Sequence, residues 1–160
     1  MQLKTMGLSG EGCLNNTVWV VKTHYPERIG RVTFFANKCI VVVRNPLDSI
    51  FSLFNMVGTI SHNESLSQEV LQKACEETEL WTDFIRQETT VWEDFHDYWV
   101  ERSREIPVHF IKYESLLLEP ETALTDLFKF LLDKESLEGL TIAERISKAC
   151  NEGMSQSQTN

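Results

Sequence analysis

The sequence predicts an α/β domain built on a mostly parallel sheet, and three observations carry that prediction. Short runs of β-branched residues alternate with longer stretches of helical period. One run, C-I-V-V-V at Cys39–Val43, is apolar without interruption, as in a parallel strand covered on both faces. All the runs end in polar groups: Lys22-Thr23-His24, Arg44-Asn45 and Lys112-Tyr113. In parallel sheets ligands sit beyond the carboxyl ends of the strands, so that convergence is the main functional signal.

The elements follow in chain order. Met1–Thr17 reads as a flexible terminus; its G-L-S-G-E-G (Gly7–Gly12) has no Lys-Ser/Thr after it, and Glu11 would repel an anion. A domain is expected over residues 18–150, with strands at Val18–Lys22, Lys38–Arg44 and Val108–Tyr113. Pro46 suits a first helical turn, and Ile50, Phe51, Phe54 and Val57 keep a helical period up to Gly58. A second helical pattern runs from about Ser67 to Glu88 through Trp81, Phe84 and Ile85. Trp92, Phe95 and Trp99 form a further stripe, and Leu124, Leu127, Phe128 and Leu131 another after Pro120. The tail 151–160, with its S-Q-S-Q-T-N, is expected to be disordered.

Charge and cysteines narrow the function. The formal charge of −9 argues against a general nucleic-acid binder. Within it, residues 1–60 hold six basic side chains against three acidic ones, and the remaining hundred hold nine against twenty-one. Positive charge therefore gathers around Lys22 and Arg44, which is either sampling noise or the mark of a local anion site. Cys13, Cys39, Cys75 and Cys150 are scattered, with no CxxC spacing, and are expected as buried or free thiols rather than metal ligands. No segment is apolar over the ~18 residues a membrane span needs. Sequons at Asn15 and Asn63 are what chance would give in a Ser/Thr-rich chain with eight Asn.

V-V-V-R-N-P-L-D-S-I-F-S (Val41–Ser52) carries the clearest chemistry. A strand ends at Arg44 and a helix begins at once, so unpaired N–H groups and the helix dipole favour an anion there. Arg44 can grip a phosphate with its planar fork, and Ser52, two turns into the helix, can add a hydroxyl donor. The plainer alternative is a surface arginine with a small packing serine. His24 is either a structural histidine or, kept neutral by nearby cations, a general base.

K-T-H-Y-P (Lys22–Pro26), R-N-P-L-D-S-I-F-S (Arg44–Ser52) and F-I-K-Y-E-S-L-L-L-E-P (Phe110–Pro120) together resemble the motifs of the sulfotransferases over about residues 18–150. The W-x-x-F-x-x-x-W stripe precedes the last of them, as it does in many members. The resemblance implies a P-loop-type, three-layer α/β/α fold. It implies 3′-phosphoadenosine 5′-phosphosulfate (PAPS) as sulfuryl donor, without a metal. His24 would take the proton from an acceptor hydroxyl, and Lys22 would neutralise charge on the transferring group. Arg44 and Ser52 would hold the donor's 3′-phosphate, with Tyr113 on its adenine side. The acceptor would be a small molecule or glycan, and the compartment cytosol or Golgi lumen.

Two family loops have no counterpart. Nothing in Met1–Thr17 matches the K-x-G-T-x-W loop after the family's first strand, and nothing before Asn160 matches its late R-K-G-x-x-G-D-W-K loop. The chain is therefore expected to be truncated at both ends and incomplete at its N-terminus, which leaves its activity by itself open. A non-catalytic interaction module with a partial anion pocket is the alternative. A nucleotide kinase is weaker, for want of a G-x-x-x-x-G-K-[ST].

Overall fold

The computed structural model describes residues 19–23, 36–61, 63–76 and 79–157. The chain divides into two units, Met1–Asn37 and Lys38–Asn160. In the first, residues 19–23 are irregular and exposed, Trp19 by 69% and Val20 by 58%. The strand expected at Val18–Lys22 is therefore not formed over 19–22. A β-branched run reports propensity only, and a strand also needs a neighbour to pair with.

The second unit is mixed α/β and mostly helical. Its β1 (Cys39–Val43) and β2 (Val108–Lys112) pair in parallel, from Cys39 opposite Val108 to Val43 opposite Lys112. Both match expectation to within a residue, and their parallel course brings Arg44-Asn45 and Lys112-Tyr113 to one edge. Val41 and Ile111 form the buried centre of the sheet, at 3% and 5% exposure. Val42 is half exposed, so the expectation of cover on both faces fails at that residue. Among the described residues the sheet has two strands, and they do not define a three-layer stack.

Between the strands lie α1 (Pro46–Thr59), α2 (Gln68–Glu76) and α3 (Leu80–Arg102). Helix α1 starts where the sequence dictates: Pro46 needs no N–H partner, and the Asn45 side chain accepts the Leu47 N–H at 2.9 Å. It ends at Ile60, in the left-handed region with its N–H on the Met56 carbonyl. Gly58 lets Leu66 pack close, because a Cβ there would lie 2.9 Å from the end of the Leu66 side chain, which would have to shift. The buried face of α1 packs on α3 through aromatic edges: Phe54 lies 4.8 Å from Trp81 and 5.2 Å from Phe84, ring centre to ring centre.

The pattern expected as one helix over Ser67–Glu88 is divided, since α2 ends at Glu76 and α3 begins at Leu80. Conversely, the Trp92–Trp99 stripe is the second half of α3. The spacing Trp81, Phe84, Glu88, Trp92, Phe95, Trp99 keeps one face through all 23 residues of that helix. Leu71, Ala74 and Trp81 are also in phase, so period alone does not show the interruption.

After β2 come α4 (Tyr113–Leu118), α5 (Pro120–Leu132) and α6 (Thr141–Ser157). No element was expected for α6, which runs into the segment 151–160. Leu137, Ile146 and Cys150 bury themselves against Leu124 and Phe128 of α5. One lysine joins this part to the sheet. Lys38 Nζ donates to the carbonyls of Phe130 (2.6 Å) and Leu131 (3.2 Å) and lies 2.6 Å from the Asp133 carboxylate. Those carbonyls belong to the last turn of α5, which closes at Asp133 in the left-handed region. A cation there satisfies groups the helix cannot satisfy itself. Lys38→Met is expected to destabilise the chain by about 1–2 kcal/mol, with Asp133→Asn costing less, both read from urea unfolding.

Candidate functional site

The carboxyl edge of the sheet is built by two strand-to-helix junctions. At the first, β1 ends and Arg44-Asn45 lead directly into α1. At the second, β2 ends at Lys112 and Tyr113 opens α4, so Tyr113 is a helical residue rather than the last of a strand. Parallel pairing sets the junctions side by side. Arg44 lies over the Tyr113 ring, its guanidinium carbon 4.7 Å from the ring centre. Among the described residues Arg44 makes no ion pair, so its N–H edges keep their capacity for an external anion.

The next residue on each side also meets. The backbone N–H of Asn45 donates to Glu114 Oε1 at 2.9 Å. That bond, and then Glu114's own backbone N–H, hold its carboxyl below the usual carboxylate range, and the charges of Arg44 and Lys112 act in the same direction. With the folded pKa depressed, the contribution of Glu114 is present above the ordinary carboxylate range and lost as pH falls through the depressed value. The wild-type chain is expected to be more stable than Glu114→Gln above the ordinary carboxylate range, and to lose that advantage as pH falls through the depressed value. Urea midpoints measured across that range check it.

Helix α1 adds a capped N-terminus and, about 10 Å along its axis from Asn45, Ser52. Ser52 is exposed, and its hydroxyl has no hydrogen-bond partner among the described residues. Asp48 lies one turn before it on the same face, where its charge complements the helix dipole. Beside Arg44 opens a mostly apolar concavity of about 340 Å³, lined by Val42, Ser49, Leu53, Trp92 and His96 among others. His96 Nδ1 donates to the Trp92 carbonyl at 2.6 Å, and its buried Nε2 has no hydrogen-bond partner among the described residues. A second hollow of about 270 Å³ is lined by Leu47, Asp48, Phe51 and Trp81.

Of the residues singled out from the sequence, the structure brings Arg44 and Tyr113 together and sets Ser52 further along α1. Lys22 is exposed in the first unit. His24 lies outside the described residues. Glu114 and His96 were not anticipated. Glu114 had a signal, an acid directly after Lys112-Tyr113 at a strand end, whereas His96 looks in sequence like one more polar residue within an aromatic stripe.

The described residues thus form a parallel α/β unit in which Arg44, with no ion pair among them, stands at the carboxyl edge next to a helix N-terminus. The family model described as "Sulfotransferase domain" matches residues 14–157, nearly the whole chain. The chain belongs to that family, and its function is of the sulfotransferase type. No curated protein and no solved structure matches it.

Proposed function

We propose that the chain is a PAPS-dependent sulfotransferase domain, moving a sulfuryl group to a hydroxyl or amine of a small-molecule or glycan acceptor. The observation that carries this reading is the Arg44–Tyr113 pair at the carboxyl edge of the sheet. Its chemistry fits a nucleotide carrying a 3′-phosphate: a cation free of ion pairs among the described residues, a phenol ring beside it, and a helix N-terminus next in the chain. Arg44 and Ser52 hold the phosphate, and Tyr113 steadies the guanidinium and flanks the base. The donor supplies an activated sulfuryl group. Lys22 offers charge to it, and His24 accepts the acceptor's proton. Sulfuryl transfer, like phosphoryl transfer, spreads charge in a loose transition state, so positioned charge supplies most of the rate. The P-loop-type fold belongs to the same proposal, as an implication of the family.

Calorimetry with 3′-phosphoadenosine 5′-phosphate tests it. Binding is expected in the micromolar range, weakened about 10- to 100-fold by Arg44→Ala, as for loss of a charge-assisted hydrogen bond. A second reading, a non-catalytic interaction module, is favoured by the apolar rim of the smaller hollow, where Leu47 is 69% exposed and Phe51 45%. A well-folded chain that binds no nucleotide would decide for the module.

A further inference from the structure

Glu114 is a charged group at the carboxyl edge for which the proposed reaction has no use. Its place is specific nonetheless. Two successive residues of α4 hold two successive residues of the β1–α1 junction: Tyr113 takes the guanidinium of Arg44, and Glu114 takes the N–H of Asn45. The Asn45 N–H belongs to the peptide that leaves Arg44, so a bond to it fixes the direction in which the chain turns from the strand into α1. The same residue caps that helix with its side chain. Fixing Asn45 therefore fixes both the root of Arg44 and the first turn of α1.

Electrostatics alone makes Glu114 a poor neighbour for an anion site. A carboxylate that feels Arg44 and Lys112 subtracts from the positive field an incoming phosphate would meet. If charge were its only effect, removing it would tighten anion binding. If its effect is to fix the junction, removing it would loosen binding, because a mobile arginine must be ordered each time the ligand arrives. The two effects have opposite signs, which makes the role measurable.

We infer that Glu114 is a positioning residue: its carboxylate ties the β1–α1 junction to β2–α4 and presents Arg44 to the 3′-phosphate of the nucleotide. The inference rests on the proposed function for its ligand, though not for the tie itself. Nothing in it requires Glu114 to touch the nucleotide. The acceptor oxygen matters more than the charge, so a glutamine, which keeps a carbonyl oxygen at the same reach, substitutes where alanine does not.

The test uses the full chain and the variants Glu114→Gln, Glu114→Ala and Arg44→Ala. Affinities for 3′-phosphoadenosine 5′-phosphate and for adenosine 5′-phosphate, which lacks the 3′ group, give the preference for the 3′-phosphate in each. Glu114→Ala is expected to lose about tenfold of that preference, and Glu114→Gln to stay within about threefold of wild type. Hydrogen exchange at the Asn45 amide supplies a readout free of nucleotide: protected in wild type and Glu114→Gln, fast in Glu114→Ala. Tighter 3′-phosphate binding in both glutamate variants would overturn the inference, as would equal Asn45 exchange in wild type and Glu114→Ala. If instead Arg44→Ala keeps the full preference while Asn45 exchange still answers to Glu114, the proposed ligand fails and the tie stands.

Discussion

His24→Ala is expected to lower kcat for sulfuryl transfer by about 10²–10⁴-fold and to leave nucleotide affinity near wild type, the range for loss of a positioned general base. Under the proposed function the acceptor's proton must leave as its oxygen or nitrogen bonds to sulfur. A neutral imidazole is the side chain that can accept it near neutral pH. A role in holding the fold would act differently, lowering stability and affinity together. Single-turnover rates with saturating donor, set beside the calorimetric affinity of the same variant, separate the two. An unchanged kcat would remove His24 from the chemistry.

The second large effect is on stability. Trp99→Ala is expected to destabilise the chain by about 3–5 kcal/mol, a large part of the 5–15 typical of a whole domain. Trp99 is buried to 7% exposure near the C-terminal end of α3, where Phe95 and Tyr98 set their rings against it at 6.5 and 5.3 Å. Few side chains among the described residues are so enclosed, and Trp99 is the largest of them. Alanine would leave a void that helix neighbours cannot fill without moving the backbone. Trp99→Phe keeps most of the volume and is expected to cost less than half as much. Chemical unfolding followed by circular dichroism checks both, and equal midpoints for wild type and Trp99→Ala would show that α3 contributes little to the core.

Sequence and structure agree where local chemistry and tertiary packing make the same demand. The two β-branched runs that became β1 and β2 are also the ones with long helical crossovers between them, so their parallel pairing was legible. Arg44 was legible because Asn45-Pro46 mark the change from strand to helix, and Tyr113 because β2 ends just before it. The run Val18–Lys22 shows the limit: its residues have strand propensity, yet pairing is a property of two segments, and 19–23 lie exposed outside any strand. Helix α6 was missed for the opposite reason. Its buried stripe of Ile146 and Cys150 is thin and set among polar residues, and only the neighbouring α5 reveals it as a core face. Glu114 was hidden by distance, because its partner lies 69 residues away and no window along the chain holds both.

That separation has a thermodynamic consequence. The groups proposed to meet the nucleotide come from junctions on two strands, and they meet only when those strands are paired. A ligand that requires both therefore acts as a brace across the sheet, contributing RT ln(1 + [L]/Kd), or about 2.7 kcal/mol at a hundred times Kd. Among the described residues the sheet has two strands, and so small a sheet is marginal unless something packs on it or spans it. Under the proposed function, occupancy and folding are then linked: raising the nucleotide concentration would raise the folded fraction together with the occupied one.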